Sequence, residues 1–228
     1  MQLKQGNPLE RVPAAERSDL LALSRRLTFY RGALLFHQGE VGSAFFIIDS
    51  GSVRTFFTAR DGSEFTIGFW KSGDLCGTAD MAAERRALSA VAETKVVAYE
   101  FAPADLGRLM TQCPMFCQEL FRALSFKVRW TSMIAANLAT KSASQRLAEI
   151  LRALAEIDGT PVAGGRIALN RRFSQQELAL MAGCTRQWVS QQLAALRERG
   201  ALETTTRGGR WVIDPPRLAR FGQDDDQG

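Results

Sequence analysis

The chain has 228 residues, 46% of them hydrophobic and 23% charged, a composition that suits a soluble globular protein with a sizeable core and room for two domains. The N-terminal stretch MQLKQGNPLERVPAAERSD has no apolar signal-peptide core, and no apolar run approaches a bilayer span, so a cytoplasmic location without membrane association is expected. The net charge of +5 is uneven: residues 143–222 carry twelve Arg and no Lys against seven acids, a balance that suits a phosphate backbone and also occurs on surfaces that bind nothing.

In chain order, Ala14 to Leu27 reads as one helix. From about Phe29 to Phe101 the pattern is short apolar or alternating runs (LLF, AFFIID, VRTFFTA, EFTIGFW, KVVAYEF) broken by glycines, which predicts an antiparallel sandwich or barrel. Pro103 to Met110 reads as a further short helix. Pro114, a good helix-opening residue, starts a long helix reaching Ala139. Within it Cys117, Phe121, Leu124, Val128, Thr131, Ala135 and Leu138 fall at alternating spacings of 4 and 3, a heptad seam that predicts a homodimer. A single helix lying on its own sheet is the alternative, and a second apolar stripe of Phe126, Trp130 and Met133 suggests both roles. Thr131 is the polar member of the seam, placed to fix register or to reach a ligand.

Ser142 or Ser144 caps the next helix, expected through Leu154, and the Gly- and Pro-rich DGTPVAGGR reads as a loop. Then comes the most informative stretch, Phe173 to Leu202. Ser174 and Glu177 form a Ser-x-x-Glu capping box, Gly183 lets the chain turn sharply, and Thr185 caps a second helix. That layout is a helix-turn-helix, which points to DNA. Val189, Leu193 and Leu196 share the inner face of the second helix, whereas Gln187, Ser190, Gln191 and Ala194 project away and Arg186 sits on the N-terminal flank. A plain amphipathic hairpin with a solvated face is the alternative. The runs ALETTT and WVID flank Gly208-Gly209, a hairpin turn, and Arg207 and Arg210 at its tip are placed to touch phosphates. The domains expected are therefore an antiparallel β domain over residues 1–112, a dimerisation helix over 113–140, a winged helix over 141–222 and a disordered tail over 223–228.

Cys76, Cys113, Cys117 and Cys184 are scattered, and with one histidine they make neither a zinc set nor an obvious disulfide framework, so no metal is expected. They read as small buried hydrophobes, with a redox role for Cys113 and Cys117 as the remote alternative.

The segments HQGEVGSAFFIIDSGSV (His37 to Val53), Gly73-Asp74, Thr131-Ser132 and FSQQELALMAGCTRQWVSQQL, in that order, give a chain that resembles the Crp/Fnr family of bacterial transcription regulators along nearly its whole length. The resemblance implies an α+β fold: an N-terminal antiparallel β-roll like those that bind cyclic nucleotides, a long dimerisation helix and a C-terminal winged helix-turn-helix. It also implies a dimer on an inverted-repeat operator in double-stranded DNA, with RNA polymerase as a further partner, acting as activator or repressor. The expected DNA contacts are Ser174, Thr185, Arg186, Gln187, Ser190, Gln191, Arg207 and Arg210. Relatives often present Arg, Glu and Arg to bases where this chain has Arg186, Gln187 and Gln191. Because Arg commonly pairs with guanine and Gln with adenine, an altered operator is expected.

In relatives that bind cyclic AMP, a Gly-Glu-Leu segment holds the ribose and an Arg-Ser-Ala segment clamps the cyclic phosphate. Here the matching residues are Gly77-Thr78-Ala79 and Arg86-Ala87-Leu88, so the carboxylate and the serine are gone, and the stretch between is about two residues shorter. Thr131 and Ser132 match positions that face the adenine. The candidate effector set is thus Gly77, Thr78, Arg86, Ala87, Thr131 and Ser132. Two lost hydrogen-bond partners at about 1 to 3 kcal/mol each favour an effector other than cyclic AMP over a weakened cyclic-AMP site. Arg86 has a surface arginine beside Arg85 as its alternative role. The oxygen-sensing members' N-terminal cysteine cluster is missing, and His37, the single histidine, lies in a turn shared with non-haem relatives, which favours structural use. An enzyme of the cupin type would need several histidine ligands, so no enzymatic activity is expected. A nucleotide-binding module acting through protein contacts is opposed by the winged helix.

Overall fold

The computed structural model describes residues 8–42, 44–204 and 210–221. The chain forms two compact units, one ending at Val128 and the other starting at Arg129. In the first, α1 (Pro8–Arg11) and α2 (Ala14–Ala22) precede β1 (Arg25–Phe29), β2 (Leu34–Phe36), β3 (Phe45–Ser50), β4 (Ser52–Thr58), β5 (Glu64–Lys71), β6 (Leu75–Cys76), β7 (Ser89–Ala92) and β8 (Val96–Phe101). These strands make two antiparallel four-stranded sheets, ordered β1-β8-β3-β6 and β2-β7-β4-β5. Then follow α3 (Leu106–Gln112) and α4 (Pro114–Thr140), within which the two units divide.

The first strand corrects the sequence expectation of one helix over Ala14 to Leu27. The helix stops at Ala22; the Ser24 hydroxyl donates to the Leu21 carbonyl at 2.7 Å, and Arg25 to Phe29 pair with β8. Leu27 and Phe29 turn toward the core, whereas Arg25 reaches out to Glu100 at 2.9 Å.

Strand β3 shows why this unit holds together. Its residues Phe45 to Ile48 are all buried because the strand is covered on both faces. Phe45 and Ile47 pack with Leu20, Phe101, Leu109, Phe116 and Leu120 beneath the helices, and the Phe45 and Phe101 rings stack 4.9 Å apart. Phe46 and Ile48 face the other sheet, against Val53, Trp70, Cys76 and Ala90. The Trp70 indole N–H donates to the buried Thr55 hydroxyl at 2.8 Å, so the largest polar handle in this core is satisfied.

In the second unit, α5 (Ala143–Asp158) opens on a reciprocal capping box between Ser142 and Gln145, which settles the choice between the two candidate serines: Ser144 is buried inside the helix. The helix passes the expected end at Leu154 and runs into β9 (Gly159–Val162) and β10 (Arg166–Leu169). This hairpin occupies the stretch expected to be a loop. Pro161 is tolerated because β9 is an edge strand, and Gly159 is required because a Cβ there would collide with the Ala155 carbonyl and Ile167. After α6 (Gln175–Ala182) and α7 (Arg186–Glu198), β11 (Leu202–Thr204) pairs with β12 (Trp211–Ile213), completing a sheet ordered β11-β12-β10-β9. A final helix not expected from the sequence, α8 (Pro215–Phe221), starts on two prolines after Asp214, whose carboxylate accepts the Arg217 N–H at 3.0 Å. Helix α5 packs on α6, α8 and β10. The expected Gly208-Gly209 turn, Arg207 and the tail over 223–228 lie outside the described residues.

Candidate functional site

The helix-turn-helix is built by local chemistry. Ser174 accepts the Glu177 N–H at 3.1 Å while the Glu177 carboxylate takes the Ser174 N–H at 2.6 Å, closing the start of α6. Gly183 ends that helix at φ +65°, a left-handed conformation that suits glycine, and the Cys184 N–H returns to the Ala179 carbonyl at 3.0 Å. Thr185 then caps α7, accepting the Trp188 N–H at 3.2 Å. The hydroxyl oxygens of Ser174 and Thr185 are therefore engaged as caps, and only their protons remain to offer a phosphate.

Val189, Leu193 and Leu196 are fully buried, and this pins the rotation of α7. Arg186, Gln187 and Gln191 are exposed, Ser190 is half-buried between them, and Trp188 is half-buried on the flank. Arg210 is exposed just before β12. Sequence reasoning passed over Arg146: its guanidinium donates to the carbonyls of Ala182 and Lys141, each at 3.1 Å, and lies 3.8 Å from the Cys184 sulfur. It ties α5 to the turn between α6 and α7. An arginine at the first turn of a helix after a capping box gave no sequence signal for that partner.

On α4 the seam residues are unequal. Phe121 is 75% exposed and Val128 64%, Thr131, Ala135 and Leu138 are also exposed, and Cys117 and Leu124 lean half-buried on the β-roll core. The second stripe faces inward: Phe126 meets Trp70 edge-on at 6.4 Å and Trp130 is buried. Large apolar chains left in solvent along one helix make a surface suited to a partner.

The candidate effector residues of the β-roll gather around a tight turn. Gly77, at φ +76°, opens a 3₁₀ turn over Thr78 to Asp80, and an added Cβ would come 3.0 Å from the Ala44 carbonyl and 3.1 Å from Arg86. Arg86 is not the surface arginine that its neighbour Arg85 is: it is 5% exposed, whereas Arg85 points out. Its guanidinium donates to the carbonyls of Gly77, at 3.3 Å, and Ala44, lies 4.1 Å over the Phe36 ring, and pairs with Asp80 at 3.6 Å. Asp80 is 4% exposed and its other oxygen accepts the Ala87 N–H at 3.2 Å. Sequence reasoning missed Asp80, although an acid six residues before a candidate anion-binding arginine is visible in the chain. Ala87 itself is exposed. Thr78 is buried and its hydroxyl has no hydrogen-bond partner among the described residues.

A second cation closes on the same place. Lys127, from α4, donates to the Leu75 carbonyl at 2.7 Å and stands 3.9 Å over the Trp70 ring. Burial lowers its pKa, opposed by the nearby Cys76, Asp74 and Asp80. Burial also raises the Cys76 thiol to about 11, against the pull of Lys127 and Arg86. Thr131 and Ser132 are exposed on α4 in the other unit. His37 serves its turn: its N–H donates to Glu40 at 2.9 Å, and its ring Nδ1 is 2.7 Å from the Gln38 carbonyl.

Comparison with known proteins gives two domain matches, a cyclic nucleotide-binding domain over residues 26–113 and a Crp-like helix-turn-helix domain over residues 145–221. The chain is 30% identical over 200 residues to the cyclic AMP receptor protein of Thermus thermophilus, covering 87% of this chain and 89% of the relative. It is also 30% identical over 209 residues to a CRP-like cAMP-activated global transcriptional regulator of Mycobacterium tuberculosis, covering 90% and 92%. The solved structure of a CooA mutant from Carboxydothermus hydrogenoformans superposes with a TM-score of 0.83 at 26% identity, over 97% of this chain and 99% of that one.

Proposed function

The chain belongs to the Crp/Fnr family of transcription regulators, and from that premise we propose that it works as a homodimer whose two α7 helices read an inverted-repeat operator. It is a DNA-binding regulator and not an enzyme. The observation that carries the specific reading is the rotation of α7: with Val189, Leu193 and Leu196 buried, Arg186, Gln187 and Gln191 form the open face at the N-terminal end. Arg186 presents a fork suited to guanine, and the two glutamines suit adenine. Ser174, Thr185, Ser190, Arg207 and Arg210 position the domain on the backbone. The exposed stripe through Phe121, Val128 and Leu138 is the surface that a second copy covers, with Cys117, Leu124, Thr131 and Ala135 at its margins. The regulator acts in the cytoplasm, where its DNA and RNA polymerase are.

The β-roll senses through the turn around Gly77 and Arg86, with Thr78 and Ala87 as further candidates, and its effector is not cyclic AMP, because the ribose-binding carboxylate and the phosphate-binding serine are replaced by Thr78 and Ala87. The retained Arg86 and the names of the relatives favour one second reading, a cyclic-AMP-responsive regulator with a weakened site. Operator selection from random duplexes by the full chain, with and without cyclic AMP, separates them. The first reading expects one palindromic consensus, unchanged by the nucleotide. A large gain in specific affinity on adding cyclic AMP favours the second, and the absence of any consensus removes both.

A further inference from the structure

The geometry points to Asp80 as a built-in occupant of the Arg86 site: its carboxylate stands where a ligand's phosphate would, so the β-roll excludes anionic phosphate ligands and keeps its arginine engaged without one. This rests on taking Arg86 as the phosphate-binding position of the family.

Five observations carry it. A buried guanidinium needs an anion nearby, because an uncompensated buried charge is strongly unfavourable. Arg86 finds that anion within its own chain, in an aspartate that is 4% exposed and 3.6 Å away. The carboxylate is held in place from two sides, since one Asp80 oxygen accepts the Ala87 N–H at 3.2 Å while the other faces Arg86. The turn that carries it starts at Gly77, where an added Cβ would lie 3.1 Å from the guanidinium. Asp80 also acts electrostatically on Lys127, a second cation carried by α4. Neutralising it leaves the buried Arg86 guanidinium without its counter-charge, an arrangement that attracts an anion. Finally, the Thr78 hydroxyl, 2% exposed in the same turn, has no partner among the described residues. It is a buried polar group still able to bond a ligand oxygen.

The pair is also looser than a tight charge-assisted bond, which closes at roughly 2.7–2.9 Å. A carboxylate at 3.6 Å supplies charge without using all five guanidinium donors, two of which go to the Gly77 and Ala44 carbonyls. Asp80 therefore competes with a phosphate for the same cation and does not merely shield it.

The test titrates cyclic AMP, as probe, into the full chain and into Asp80→Asn and Asp80→Asn/Arg86→Gln, by calorimetry. Asp80→Asn keeps the side-chain shape and an oxygen for the Ala87 N–H. The expected result is weak or undetectable binding to the unaltered chain, binding tightened by about ten- to a hundredfold in Asp80→Asn, the range of one charge-assisted hydrogen bond, and loss of that gain in the double variant. Equal, Arg86-dependent binding to the unaltered chain and to Asp80→Asn overturns the role of Asp80 and leaves Arg86 as a phosphate site. No binding to an Asp80→Asn protein that melts cooperatively overturns both. A measurement on the unaltered chain covers a variant that does not fold: operator binding without added nucleotide, unchanged by cyclic AMP, is expected, and binding that appears only with the nucleotide overturns the proposal.

Discussion

Arg186→Ala gives the sharpest test of the docking of α7. Arg186 is exposed at the first position of the helix, the cap at Thr185 is made by another side chain, and the buried face is Val189, Leu193 and Leu196. Truncating it should therefore change folding stability by no more than about 0.5 kcal/mol. A bidentate contact to guanine is worth about 1 to 3 kcal/mol, and a dimer on a symmetric operator makes it twice, so the variant should lose about 2 to 6 kcal/mol, or roughly 30- to 20,000-fold in affinity. That is a large part of the roughly 4 to 10 kcal/mol that separates specific from non-specific binding. Fluorescence anisotropy at one fixed salt concentration, with the selected operator and a scrambled duplex of equal length, reads both quantities. The operator should lose affinity by the stated factor while the scrambled duplex changes far less. Equal losses on both duplexes would make Arg186 a phosphate contact, and no loss on either would refute this orientation of the helix.

Other consequences follow from the same structure. Val128→Glu, placing a charge on an exposed seam position, should shift the full chain from dimer to monomer in sedimentation equilibrium, and a dimer of unchanged affinity would remove Val128 from the interface. Leu193→Ala empties a fully buried position under α7 and should cost about 2 to 5 kcal/mol in urea unfolding of the DNA-binding unit; a cost below about 1 kcal/mol would mean that the helix does not pack as described. Cys76, with its thiol raised from 9.0 to about 11 by burial, contributes stability that is complete below pH 9 and is lost as pH rises through 11. The Cys76→Ala variant should accordingly show a shallower fall in stability over that window, and at about pH 8 the native chain should alkylate at Cys184 before Cys76, which peptide mass spectrometry reports.

Much of the DNA-binding unit was legible because its signals are local. Ser174 with Glu177, Gly183 and Thr185 are capping and turn residues whose partners lie within a few positions, so the two helices and their exposed face follow from spacing alone. The long helix was legible for the same reason, since Pro114 opens it and its apolar repeat persists to Leu138. The misread segments depend on partners far away. Arg25 to Phe29 continue a helical pattern until β8 supplies a ladder about seventy residues on, and Gly159 to Leu169 look like a loop because Pro161 and the glycines are permitted by an edge position and a close approach. Arg86 is the clearest case in the candidate sensor site. Its sequence neighbour Arg85 is exposed, and only the fold brings Asp80, Phe36 and the Ala44 carbonyl around one of the two.

The most direct test of a two-fold reader is the hydroxyl-radical footprint of the full chain on its selected operator. The account predicts two equivalent protected patches related by a dyad, with centres roughly 10–10.5 base pairs apart on one face of the duplex. A single protected patch, bound at one chain per duplex, would contradict it.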